Sequence, residues 1–141
     1  MRILFLCVAN AARSQIAEGL ARAILPASVK VASAGSEPGQ LNPLAVEALS
    51  ETGIDISGHC SKSLSDVSPE SADLIVTLCA EEVCPFAPGP GKRLHWPLSD
   101  PSATGDIAAF RMARDQIRGR IEVLAELLPL PDGPAGTEPA A

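Results

Sequence analysis

The sequence predicts an α/β fold in which a four-stranded parallel sheet carries helices on both faces. Short apolar runs that suit buried strands alternate along the chain with amphipathic segments that suit helices, and this alternation is typical of parallel sheets. At 141 residues, with 46% hydrophobic residues and no apolar run of membrane-spanning length, the chain fits one globular domain with a full core. We place that domain at residues 1–128 and expect residues 129–141, which are rich in proline and glycine, to be a disordered tail.

The strands are predicted from short runs of apolar or β-branched residues at Arg2–Leu6, Val29–Ser33, Leu74–Leu78 and Arg93–Trp96. The helices are predicted from apolar periodicity and start signals at Ser14–Leu25, from Pro43 to about Gly53, and from about Asp106 to Leu128, with a shorter helix at Pro69. Asn42-Pro43 is a typical helix start, because asparagine caps the first turn and proline fits its first position.

The net charge of −6 argues against nucleic acid or an anionic membrane as a partner, because either would require a basic surface. We find no targeting segment and expect a cytoplasmic monomer. Four cysteines in a reducing compartment indicate catalysis, redox cycling or a metal. No C-x2-C pair is present, and His59 and His95 lack metal-ligand spacing, so we predict no metal site.

The first candidate site is the loop between the first strand and the first helix. This arrangement points backbone N–H groups and the positive end of the helix dipole at one spot, which suits a tetrahedral oxyanion and favours the thiolate form of Cys7. Arg13 can close the site with a planar guanidinium group. The alternative for Cys7 is an inert, buried strand cysteine. The predicted oxyanion-binding residues are Val8, Ala9, Asn10, Ala11, Ala12 and Arg13.

Three residues with suitable chemistry follow different predicted strands. Cys7 follows the first strand, Cys79 ends the third and Asp100 follows the fourth. Ligands bind parallel sheets at the carboxyl ends of the strands, so these three side chains are expected at one edge.

The C-x5-R-S loop directly after an N-terminal strand resembles the signature of the low-molecular-weight protein tyrosine phosphatase family. The residues that carry the resemblance are Cys7, Asn10, Arg13 and Ser14. It implies a thiolate nucleophile at Cys7, an oxyanion-binding arginine at Arg13 and a general acid at Asp100, which precedes a proline as in the family. Ser14 would donate a hydrogen bond to the Cys7 sulfur, act as a helix cap, or both. An ordinary loop turn is the alternative for Asp100.

Within this family the chain resembles the thioredoxin-coupled arsenate reductases more than the tyrosine phosphatases, which tend to carry aromatic side chains beside the cleft. The chain has no tyrosine and one tryptophan. Further landmarks are Ser33-Ala34-Gly35, Gly53–Ser57, Thr77-Leu78-Cys79, Cys84-Pro85 and His95-Trp96. The resemblance implies arsenate as substrate, a disulfide relay through Cys7, Cys79 and Cys84, no bound cofactor, and thioredoxin as the external reductant.

Cys79 and Cys84 are separated by four residues, against six in the pattern. If Cys84 is idle, a low-molecular-weight thiol with glutaredoxin resolves the intermediate instead. We also expect Cys79–Val83 to be helical when reduced and to unwind on oxidation, because a helix holds positions five apart too far for a disulfide. Two alternative functions are a phosphatase that uses Cys7, Arg13 and Asp100 alone and a non-catalytic oxyanion or redox sensor.

Some relatives bind potassium beside the loop. Asn10, Glu18 and Ser33 match that pattern, whereas Cys60 and Lys62 stand where threonine and aspartate are expected. We predict that the Lys62 ammonium replaces the cation and that Cys60 is a loop cysteine without a redox role.

Overall fold

A computed structural model describes residues 1–80 and 86–128 and contains one four-stranded parallel sheet. The strands are β1 (Arg2–Cys7), β2 (Lys30–Gly35), β3 (Leu74–Thr77) and β4 (Lys92–His95), in the spatial order β2-β1-β3-β4. The predicted fold class is confirmed. The register pairs Cys7 with Gly35, Leu6 with Thr77, and Thr77 with His95, so the carboxyl ends of all four strands lie along one edge.

Three α-helices and three short 3₁₀ helices complete the described fold. The α-helices are α1 (Arg13–Ile24), α2 (Pro43–Ser50) and α3 (Ile107–Leu127), and the 3₁₀ helices are Leu64–Asp66, Pro69–Ser71 and Pro101–Ala103. As predicted, Asn42 caps α2, where its side-chain oxygen accepts from the Leu44 N–H at 2.9 Å. None of the described helices is long and apolar enough to cross a bilayer.

One prediction at the start of α1 is wrong. Ser14 is not the helix cap, because α1 begins at Arg13 and Ala12 is its N-cap residue, without a side-chain cap. The Ser14 hydroxyl is therefore free of capping and is available to the side chains around it.

The two faces of the sheet are covered differently. Alternate residues of β1 lie on opposite faces: Ile3 and Phe5 pack against the α-helices, whereas Leu4 and Leu6 pack against the 3₁₀ helices and their flanking segments. Each large apolar side chain buried in this way stabilises the fold by about 1.5–3 kcal/mol. β1 is apolar throughout because it lies in the centre of the sheet and is covered on both faces. This packing holds the end of the strand, and Cys7 with it, in a fixed position.

Candidate active site

Cys7 lies at the end of β1 and faces a small cavity at the carboxyl edge of the sheet. The Cys7 residue is 2% exposed, and the cavity has a volume of about 40 Å³, against the roughly 10–15 Å³ that one water needs. The residues that line it are Cys7, Ala9, Ala11, Ala12, Arg13, Asn42, Asp100 and Ser102. The structure therefore brings together Cys7, Arg13 and Asp100, which the sequence places on separate segments.

The carbonyl groups of the loop are hydrogen-bonded to neighbouring segments. The carbonyls of Val8, Ala9 and Ala11 accept hydrogen bonds at 2.9–3.0 Å from the backbone N–H groups of the segment 37–42. The Asn10 carbonyl accepts from the Ser61 hydroxyl at 2.8 Å. Within the described part of the chain, the N–H groups of residues 8–12 have no acceptor. Successive N–H groups that face one concavity form a site for an anion.

Gly35 allows the loop to lie against the end of β2. A Cβ atom at this position would stand 2.3 Å from the Val8 carbonyl oxygen and 2.9 Å from both the Asn10 nitrogen and the Cys7 carbonyl oxygen. All three are backbone atoms that cannot rotate away. The sequence marks Gly35 only by resemblance, and its physical role is this close approach.

A buried chain of hydrogen bonds leads to the Cys7 sulfur. The Asn10 side-chain N–H group donates to Ser14 Oγ at 2.7 Å, and Ser14 Oγ lies 2.9 Å from Cys7 Sγ. Ser14 Oγ accepts the Asn10 donor and keeps its own hydrogen, which it can donate to the Cys7 sulfur. Asn10 adopts a left-handed φ of 50°, which asparagine tolerates better than most residues.

Gln15 extends this network and was not anticipated from the sequence. Gln15 is fully buried, and its side-chain amide nitrogen donates to Asn10 Oδ1 at 3.0 Å and to the Cys60 carbonyl at 2.9 Å. Gln15 Oε1 then accepts from His59 Nδ1 at 3.0 Å, which fixes the hydrogen of that ring on Nδ1. Burial lowers the pKa of His59 and thereby favours the neutral form of the ring.

Arg13 connects the loop to the segment that follows β4. Arg13 is 4% exposed, and its Nη1 donates to the Leu98 carbonyl at 2.9 Å. This bond holds the guanidinium group in the cavity wall and ties it to the segment that carries Asp100. A planar fork held in this way is suited to an oxyanion.

Asp100 is exposed at the start of the 3₁₀ helix Pro101–Ala103. Its Oδ1 accepts from the Ser102 N–H at 3.0 Å and from the Ser102 hydroxyl at 2.7 Å. Asp100 is thus both a turn-capping residue and a wall of the Cys7 cavity. Oδ1 is thus occupied, and Oδ2 has no hydrogen bond within the described part of the chain.

The other cysteines have different surroundings. Cys79 follows β3, is 1% exposed and is disulfide-bonded, whereas Cys7 and Cys60 are free and Cys60 is exposed. Cys79 and Ala80 are not helical, and the rest of the helix predicted at Cys79–Val83 lies outside the described residues, as does Cys84. The order of the relay thus stays a prediction.

Glu18, which matches the potassium pattern of some relatives, is paired with two cationic side chains. One carboxylate oxygen accepts from the Ser33 hydroxyl at 2.5 Å and lies 3.5 Å from the Lys62 ammonium. The other oxygen forms an ion pair with Arg22 at 2.7 Å. The Lys62 ammonium thus lies beside the Glu18 carboxylate. That it takes the place of a potassium ion stays a prediction.

Comparison with known proteins adds the family. The model of the low molecular weight phosphotyrosine protein phosphatases matches residues 2–129. The arsenate reductase of Bacillus subtilis is 44% identical over 131 residues, which cover 88% of this chain and 94% of the relative.

Solved structures point the same way. The arsenate reductase of Archaeoglobus fulgidus superimposes with a TM-score of 0.79 at 29% identity, over 88% of this chain and 98% of the other. The thioredoxin-dependent arsenate reductase of Corynebacterium glutamicum gives a TM-score of 0.72 at 38% identity, over 89% of this chain and 60% of the other. The chain belongs to the low molecular weight phosphotyrosine protein phosphatase family, and these arsenate reductases are its relatives.

Proposed function

We propose that this protein is an arsenate reductase that uses the Cys7 thiolate as nucleophile and returns to its reduced state through Cys79 and an external thiol reductant. The observation that carries the proposal is the cavity lined by buried Cys7, Arg13 and Asp100, beside a loop whose N–H groups at residues 8–12 have no acceptor in the described part of the chain. Sequence identity of 44% to an arsenate reductase supports the choice of arsenate over a phosphate ester.

The first step is substitution at arsenic. Arsenate has the tetrahedral shape and charge of phosphate, so the loop N–H groups and Arg13 bind its oxygens. The Cys7 thiolate attacks arsenic and forms a sulfur–arsenic bond, while one arsenic–oxygen bond breaks. Asp100 gives its proton to the departing oxygen, which leaves as water, and Ser14 stabilises the thiolate before attack.

The second step moves two electrons. A thiolate at Cys79 attacks the Cys7 sulfur and forms a Cys7–Cys79 disulfide. The electron pair of the sulfur–arsenic bond passes to arsenic, which is reduced from As(V) to As(III) and leaves as arsenite after protonation. Two thiols are thereby oxidised for each arsenate reduced.

The third step frees Cys7. The Cys84 thiolate attacks Cys79, releases the Cys7 thiolate and leaves a Cys79–Cys84 disulfide. A dithiol protein of the thioredoxin class then supplies two electrons and two protons and restores both thiols. The known thioredoxin dependence of the Corynebacterium glutamicum relative supports this reductant. A low-molecular-weight thiol with glutaredoxin is the alternative if Cys84 does not take part.

The test is arsenite production by purified protein with thioredoxin, thioredoxin reductase and NADPH. Wild type, Cys7→Ser, Cys79→Ser and Cys84→Ser are compared, with Cys60→Ser as the matched control because Cys60 is a free, exposed thiol. We expect steady NADPH oxidation only in wild type and Cys60→Ser. Activity in Cys84→Ser would show that an external thiol, and not Cys84, resolves the intermediate. Hydrolysis of para-nitrophenyl phosphate without arsenate reduction in any reductant system would contradict the proposal and identify a phosphatase.

A further inference from the structure

We propose that Asn42, the cap of α2, is a further substrate-binding residue whose side-chain amide donates a hydrogen bond to the oxyanion above Cys7. The inference deepens the proposed function and rests on it for the identity of the anion. The donor comes from an element that is separate in sequence from both the loop and the Asp100 segment.

The Cys7 cavity is lined by residues of three separate segments, and Asn42 comes from the start of α2. The loop contributes N–H groups and Arg13, and the segment after β4 contributes Asp100 and Ser102. Asp100 carries a carboxylate and the Ser102 hydroxyl is already hydrogen-bonded to it at 2.7 Å, so that wall offers the anion no free donor among the described contacts. Asn42 is the lining residue that can supply a neutral side-chain donor.

The hydrogen bonds of Asn42 fix which end of its side chain is free. Oδ1 accepts a hydrogen bond from the Leu44 N–H at 2.9 Å. Because the Leu44 N–H is a donor, the Asn42 side-chain amide cannot be flipped to place its nitrogen there. The backbone carbonyl accepts from the Ala45 N–H at 3.0 Å. The side-chain nitrogen, with two N–H donors, has no acceptor in the described part of the chain.

The position of Asn42 is coupled to the loop itself. Its backbone N–H donates to the Ala11 carbonyl at 2.9 Å, and Pro43 restricts the chain directly after it. The amide is therefore held against the loop before any ligand binds, so that little side-chain freedom is lost on binding. A hydrogen bond to a charged oxygen is stronger than one between neutral groups.

Two substitutions separate this role from the capping role. Asparagine, aspartate and serine are all good N-cap residues, so Asn42→Asp and Asn42→Ser keep the helix start and leave the thermal midpoint of unfolding nearly unchanged. Asn42→Ser removes the amide donor. Asn42→Asp replaces it with a carboxylate oxygen that repels the anion. Gln40→Glu, which adds the same charge at an exposed residue two positions away, controls for long-range repulsion.

The measurement is the dissociation constant of inorganic phosphate, obtained from its protection of Cys7 against alkylation by iodoacetamide. We expect binding about 10-fold weaker in Asn42→Ser and about 100-fold weaker in Asn42→Asp, against less than about threefold in Gln40→Glu. Folded Asn42 variants that bind phosphate as wild type does would overturn the proposal, as would an Asn42→Asp effect no larger than that of Gln40→Glu. Because phosphate binding needs no reductant, a wild-type protein that binds phosphate but makes no arsenite would refute the proposed function alone.

Discussion

Two groups of polar contacts in this protein have similar distances but lie in opposite environments. Around Cys7, the residues Asn10, Ser14 and Gln15 are fully buried and linked by bonds of 2.7–3.0 Å. Between α2 and α3, Glu51 binds Arg111 at 2.6 Å and Arg114 at 2.9 Å, with the Glu51 and Arg111 side chains 33% and 46% exposed.

The comparison shows why distance alone does not measure importance. Water can replace a lost partner at the α2–α3 surface, whereas a polar group left unpaired beside Cys7 keeps the full cost of its desolvation. We therefore expect substitutions around the loop to change both activity and stability, and substitutions at the ion pairs to change stability alone and by less.

The largest effect is expected at Gly35. Gly35→Ala forces a methyl group against three backbone atoms of the loop and should lower the free energy of unfolding by about 3 kcal/mol. It should also abolish phosphate binding, because the N–H groups of the loop must shift. Urea denaturation and phosphate protection of Cys7 are the measurements. Gly58→Ala is the control, since no heavy atom lies within 4 Å of its added Cβ; equal behaviour of the two variants would refute the close-approach argument.

Ser14→Ala comes next. The substitution removes the hydroxyl beside Cys7 and leaves the Asn10 amide donor unpaired in the interior, which should cost about 1–3 kcal/mol in the free energy of unfolding. Alkylation of Cys7 at pH 7 should slow by about 10-fold as the thiolate loses its donor. The exposed Ser36→Ala variant should match wild type. An unchanged alkylation rate in Ser14→Ala would contradict a role of the Ser14 hydroxyl in the reactivity of Cys7.

A smaller effect is expected at the ion pairs. Hydrogen bonds from Arg111 and then Arg114 lower the pKa of Glu51 from 4.5 to about 2. The ionised form is thus favoured by folding, so the stabilisation is present above pH 4.5 and is lost as the pH falls toward 2. Glu51→Gln should lower the free energy of unfolding at pH 7, converge with wild type near pH 2 and leave arsenate reduction unchanged. A difference that persists at low pH would contradict the charge-based explanation.

The smallest effect concerns potassium. Since Lys62 and Arg22 already neutralise Glu18, exchange of potassium for sodium at equal ionic strength should change kcat/KM by less than about twofold. A Lys62→Met variant tests the cause, because it removes the ammonium and leaves Glu18 with Arg22 alone. Clear stimulation of the wild-type protein by potassium would show that the ammonium does not take the place of the cation.

The sequence predicted the parts of this site that depend on local structure. The strand before Cys7, the helix after Arg13 and the asparagine-proline start of α2 each have a local signature, and the parallel sheet then brings Cys7 and Asp100 to one edge. It did not predict contacts between distant segments. Gln15 bonds to a carbonyl 45 residues away, and Lys62 donates its backbone N–H to Asn10 Oδ1 at 2.8 Å, 52 residues away. Neither contact leaves a pattern in the residues nearby.

The most direct test of the central claim is a single turnover without any external reductant. Fully reduced protein, with four titratable thiols, is mixed with excess arsenate, and arsenite and remaining thiols are counted. The two-electron scheme predicts one arsenite for every two thiols lost, with Cys60 still open to alkylation and the new disulfide located by mass spectrometry. Four thiols that remain intact while arsenate is unchanged would contradict the account, because fully reduced protein carries every group that the proposed relay needs for one turnover.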